Sequence, residues 1–176
     1  MTANGATTYA AFLRGVNVGG VNLKMAQVAR SLERAGFTHV RTILASGNVV
    51  LDSPQDAMSV RAKAEAALRE TFRYDAWVLV YDLPTLQEIV EAYPFEPEVH
   101  GHHSYVTFVS DAAILRELAR LTPHPGERLA PGAGVLYWQV PRSTTLTSTV
   151  GKTMGNRRYK SSTTTRNLRT LQKVLR

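Results

Sequence analysis

The sequence predicts an α+β protein: a ferredoxin-like β-α-β-β-α-β first half followed by a second, related α+β half. Three observations carry this. Short β-branched or aromatic runs alternate with stretches whose apolar residues recur at helical spacing, and Gly, Asn, Asp and Pro punctuate the junctions. A chain of 176 residues, 44% hydrophobic and 20% charged, has enough apolar material for one compact domain or two small ones sharing a core.

Residues 1–8 read as a flexible tail, and residues 9–81 as the first half. Tyr9-Ala10-Ala11-Phe12-Leu13 is a buried strand that delivers Arg14 to its end, where a Gly-rich loop begins. Met25, Val28, Ala29 and Leu32 then recur as one face of a helix, with Asn22 as its expected N-cap and Gly36 as its stop. Val40–Leu44 and Val49–Leu51 flank Ser46-Gly47-Asn48 as a hairpin. In Ser53-Pro54-Gln55-Asp56 the serine is the expected cap, Pro the first helical residue and Asp the acid three places on. Ala57, Val60, Ala64, Ala67, Leu68 and Phe72 form the buried side of the helix that follows, and Trp77–Tyr81 returns as a strand. The result is an antiparallel sheet with two helices on one face.

Residues 82–103 read as a short helix carrying Leu86, Ile89 and Val90, then a Pro-rich linker. The second half, 104–141, has a strand at Ser104–Val109 and a helix opened by Asp111 with Ile114, Leu115, Leu118 and Leu121. Two strands lie within Leu129–Val140, around the Pro131-Gly132-Ala133-Gly134 turn. Residues 142–176 read as a basic segment ending in a helix, Arg166–Arg176, with Leu168, Leu171 and Leu175 on one side. No residue-level repeat between the halves is visible.

The net charge of +7 is unevenly placed. Residues 1–127 hold 11 Lys/Arg against 14 Asp/Glu, whereas residues 128–176 hold 10 Lys/Arg and no acid. Hydroxyl residues crowd the same basic segment, and cations mixed with hydroxyls suit contact with phosphate, on a nucleic acid or a small anion. A solubilising, partly mobile tail is the alternative. Zero cysteines removes disulfides, thiol nucleophiles and thiolate metal sites together. With no apolar run long enough to span a bilayer and no export signal, a cytoplasmic protein with no membrane partner is expected.

Leu-Arg-Gly-x-Asn-Val-Gly-Gly from Leu13, then Lys24-Met25, Gly36-Phe37, Ser46-Gly47-Asn48-Val49-Val50 and Thr165-Arg166-Asn167 together resemble the bacterial domain-of-unknown-function 1697 family. The resemblance implies a stand-alone α/β protein with ferredoxin-like halves and no established activity. Departures cluster at the end, where Leu168 stands in place of the aromatic that the family tends to have after Arg-Asn.

Gly15, Gly19 and Gly20 fit neither G-x-G-x-x-G nor G-x-x-x-x-G-K-S/T, so no dinucleotide, P-loop nucleotide or other cofactor is expected. The loop still leads into a helix whose free amides can hold an anion with Arg14 and Lys24 alongside, or it is a tight structural loop in which Asn17 and Asn22 satisfy backbone groups. Ser46 lacks a G-x-S-x-G elbow and reads as a turn residue; Asn48 reads as a turn residue or as a polar group aimed at whatever the first loop holds. His100-Gly101-His102-His103 is the only metal-like cluster. Because consecutive strand residues point to opposite faces, at most His100 with His102, or one of them with Glu98, could share an ion, and no native metal site is expected. No carboxylate pair suggests an acid/base dyad. Trp77, Trp138, Tyr105, Phe108 and Tyr137 could stack bases, but packing is the simpler use, since the RNP1 pattern is missing.

The expected function is therefore binding of an anionic small molecule or nucleic acid through Arg14, Asn17, Gly19, Gly20, Lys24, Ser46 and Asn48 in the N-terminal loops and Arg166 and Asn167 in the basic segment. The alternative is an enzyme acting on a small phosphorylated or carboxylated substrate, with no catalytic residue assignable.

Overall fold

In the computed structural model, residues 5–16 and 22–176 are described. The first sheet is built from β1 (Thr7–Arg14), β2 (Thr38–Ile43), β3 (Asn48–Ser53) and β4 (Trp77–Asp82), with α1 (Met25–Arg34) and α2 (Ala57–Phe72) between them. Its order is β2-β3-β1-β4, with antiparallel neighbours throughout, which is the split β-α-β arrangement expected. Tyr9, Ala11 and Leu13 alternate onto one face of β1 and pack with Val28 and Leu32 of α1 and Val60, Ala64 and Leu68 of α2. Ala10 and Phe12 point the other way and are also fully buried, so β1 reads as a continuous apolar run.

Two caps differ from expectation. Lys24, not Asn22, holds the N-cap position of α1 and makes no side-chain cap bond. At α2 the cap is Asp56, whose carboxylate accepts from Ser59 N at 2.8 Å; Ser53 is the last residue of β3. The acid wins because it is the residue adjoining the first helical turn, where its oxygens meet the free amides. Gly36 does stop α1: its φ of 102° lets the chain reverse while Phe37 N donates back to Leu32 O at 3.2 Å.

After α3 (Leu83–Glu91), the second sheet comprises β5 (His102–Val109), β6 (Arg128–Pro131), β7 (Val135–Pro141) and β8 (Thr163–Asn167), in the order β6-β7-β5-β8. α4 (Ala112–Leu118) follows β5, capped by Asp111. α5 (Thr149–Met154) and a 3-10 turn at Arg157–Tyr159 precede β8, and α6 (Leu168–Val174) follows it. The expected single helix over Arg166–Arg176 thus begins two residues late, because Arg166 and Asn167 finish a strand. Thr163, Thr164 and Thr165 are β-branched and pair with Val109, Phe108 and Thr107. The Thr107 and Thr165 hydroxyls are 2.7 Å apart. The second half is accordingly a full β-α-β-β-α-β, not β-α-β-β with a tail.

The chain divides into two compact units, one reaching to Leu86 and including Lys173–Arg176, the other Gln87–Gln172. Their registers match residue by residue. Tyr9 pairs with Leu51 and Phe12 with Asn48, while Leu13 N donates to Gly47 O at 2.8 Å. Tyr105 pairs with Trp138 and Phe108 with Val135, while Val109 N donates to Gly134 O at 2.9 Å. Tyr9-Ala10-Ala11-Phe12 and Tyr105-Val106-Thr107-Phe108 therefore occupy the same place in each sheet, a repeat that inspection of the sequence does not reveal. The correspondence extends to the last strands: Asp82 Oδ1 accepts from Thr85 N at 2.8 Å to open α3, and Asn167 Oδ1 accepts from Arg169 N at 2.9 Å to open α6. Among the described residues no helix is long and apolar enough to cross a membrane.

Candidate functional site

Two bends meet at the end of β1. Arg14 is its last residue, Gly15 turns the chain at φ 81°, and Val16 is buried in the core of the first unit. The β2–β3 hairpin comes against this turn. A Cβ on Gly47, at φ 85°, would lie 3.0 Å from Leu13 Cβ and 3.2 Å from Val16 Cγ2, so only glycine fits the approach. Arg14 and the Ser46–Asn48 hairpin thus share one rim of the first unit.

The residues on that rim divide by role. Asn48 is 0% exposed, and its Nδ2 donates to Ile43 O at 2.9 Å and to Ser46 Oγ at 2.8 Å. It closes the hairpin from inside. Ser46 is exposed and supplies the acceptor for that bond. Arg14 is part-buried, and loss of water around its guanidinium pushes its pKa down from the ordinary arginine value. Lys24 is exposed at the start of α1. Asn17, Gly19 and Gly20 lie outside the described residues.

Arg166 and Asn167 finish strand β8, a correction to their expected place at the start of a helix in the basic segment. Arg166 is 8% exposed, and its Nη1 donates to Thr164 Oγ1 at 2.8 Å and Thr165 O at 2.9 Å. Asn167 caps α6. The aromatic strand residues are packing groups as well: Trp138, Phe108 and Tyr137 are buried, and Tyr105 stacks on Trp138 with ring centroids 4.5 Å apart.

The second unit holds a small cleft of about 90 Å³ lined by Glu98, His102, His103, Arg142, Asn167 and Arg169, among others. His102 and His103 are consecutive in β5, paired with Pro141 and Val140, so their rings leave opposite faces of the sheet: His102 Nδ1 lies 3.2 Å from His100 O, whereas the His103 ring stands 5.9 Å from that of Tyr105. Arg142 follows β7, held by its own amide on Gly101 O at 2.8 Å. Arg169 Nε lies 3.4 Å from Glu98 Oε1. Among the described residues no group of three or more His, Cys, Asp or Glu could hold a metal ion. Reading the sequence places the histidines in a linker, Arg142 in the basic segment and Arg169 in its terminal helix. What would have joined them is the pairing of His102 with Pro141 and of Tyr105 with Asn167.

A family model described as "Protein of unknown function (DUF1697)" matches residues 6–137. The chain belongs to the DUF1697 family. The DUF1697 match ends inside β7, so it includes the Arg14 rim and not Thr165-Arg166-Asn167. Among solved structures, a conserved bacterial protein, SP0830 from Streptococcus pneumoniae, superposes with a TM-score of 0.80 at 20% identity, over 97% of each chain. That likeness shows the fold. A search of curated proteins found no match.

Proposed function

We propose that this DUF1697 protein binds a small ligand through a phosphate or carboxylate group at the rim of the first unit, with Arg14 as the principal cation and Lys24 beside the same loop in sequence. One observation carries the reading: a part-buried guanidinium stands where two glycine bends meet, Leu13 N bonded to Gly47 O at 2.8 Å. Burial disfavours the charged form of Arg14, and an anion placed against it would offset that cost while taking a bidentate hydrogen bond. Ser46 and Asn48 build the wall and are not the recognition groups. The reading sets the protein in the cytoplasm, where structural disulfides are rare, which suits a chain with no cysteine.

Titration calorimetry with sodium phosphate tests it. Arg14→Ala and Lys24→Ala should each lower affinity about tenfold, roughly 1.4 kcal/mol, with the melting temperature unchanged. Wild-type affinity in both variants would overturn the reading. A single-stranded oligonucleotide is the second probe. If the true ligand is a nucleic acid strand, its affinity will fall steeply with salt, by orders of magnitude up to about 200 mM, while phosphate binding will not discriminate.

A further inference from the structure

The cleft in the second unit carries a site of its own. We propose that it binds the phosphate group of a phosphate monoester, or free phosphate, through Arg142 and Arg169, with His102 beside them.

Cations converge there from separate stretches of chain: the residue after β7 supplies Arg142 and the β8–α6 junction supplies Arg169, with His102 at the start of β5. His102 Nδ1 is engaged with His100 O at 3.2 Å, so the guanidiniums, each a fork matched to two oxygens of one phosphate, are the principal donors. Charge favours an anion. Glu98 is the sole acid lining the cleft, and it is engaged by Arg169 at 3.4 Å in an exposed pair worth little to stability. Arg142 makes no ion pair with any acid among the described residues. A volume of about 90 Å³ admits several waters or one phosphate group, so the remainder of an ester would project into solvent.

The internal repeat supplies a control. By matching register, the first unit has Ala6 where the second has His102, Gln55 where it has Arg142, Asp82 where it has Asn167, and Pro84 where it has Arg169. The same fold is therefore made without the imidazole and the two guanidiniums, and with a carboxylate in place of the Asn167 amide. Neither the sheet register nor the helix caps require the cations of the second unit.

The test is an NMR titration of the full chain with sodium phosphate, following the imidazole Cε1–H signals of the five histidines. His102 should shift and saturate, while His39 and His124 stay fixed. Arg142→Ala should weaken this binding about tenfold, whereas Arg14→Ala should leave the His102 shift as in wild type. Absence of a saturable shift at His102, or a shift unaltered in folded Arg142→Ala, would overturn the proposal. Heat registers phosphate at either site, so Arg14 is read as the calorimetric difference between Arg142→Ala and the double variant Arg14→Ala/Arg142→Ala, the cleft is read by the His102 imidazole, and either site can fail without the other.

Discussion

Asn48 joins the two strands of the first hairpin through one amide, bonding Ile43 O across the turn and Ser46 Oγ within it. Asn48 is wholly buried, so Asn48→Ala removes both bonds at once and leaves a void where the amide was. The expected loss is about 2 kcal/mol or more, read as a lowered melting temperature or denaturation midpoint. Ser46→Ala, at an exposed position, should cost less than about 1 kcal/mol. The sequence does show Asn48 as a turn residue, because an Asn after Gly between β-branched runs has few other uses. It does not show Arg166 as buried, since a guanidinium that bonds its own strand neighbours looks, in one dimension, like any other arginine.

The elements of the first unit were legible because each has a local signature: helical recurrence for α1 and α2, a Gly-centred hairpin, and apolar strands. Those of the second unit were legible only in part. α5 and β8 are dominated by Thr, Gly, Lys, Arg and Asn, a composition that reads as loop, and β8 becomes a strand through its pairing with β5, not through its own pattern. Side chains anchor the α5 segment. Ser148 Oγ accepts from Gly151 N at 3.1 Å and donates to Thr145 O at 2.7 Å, and Gly151 packs so closely on Thr145 that any Cβ there would collide with its carbonyl. Ser148→Ala should therefore destabilise the protein by about 1 kcal/mol in chemical denaturation. Asn22→Ala should stay within about 0.5 kcal/mol of wild type, because Lys24 holds the N-cap position and offers no side-chain bond to lose.

Over the whole molecule, the two units share a register but not a period. Tyr9 and Tyr105 are 96 residues apart, Gly47 and Gly134 are 87 apart, and Asp82 and Asn167 are 85 apart. Loops of different length absorb the difference, so a search at a fixed offset finds one strand and loses the next. Alkaline stability is another property of the whole. Burial pushes the Tyr74 and Tyr81 phenols up to about 12 from an ordinary value of 10. Both are neutral in either state below the unfolded value. As pH rises through the interval up to about 12, the unfolded chain loses these protons first, and stability falls. Tyr74 Oη, buried with no hydrogen-bond partner among the described residues, adds a test. Tyr74→Phe should raise the melting temperature at neutral pH and flatten the alkaline decline, measured by thermal melts across the pH series.

The last strand of the second sheet also bears on how the protein is made. Until Thr163–Asn167 has left the ribosome, β5 has β7 on one flank and an open row of backbone donors and acceptors on the other. A nascent or prematurely terminated chain stopping short of β8 would expose that row beside Val106 and Phe108, both wholly interior in the finished molecule. Quality control during synthesis would meet an adhesive intermediate for as long as β8 is withheld from that edge.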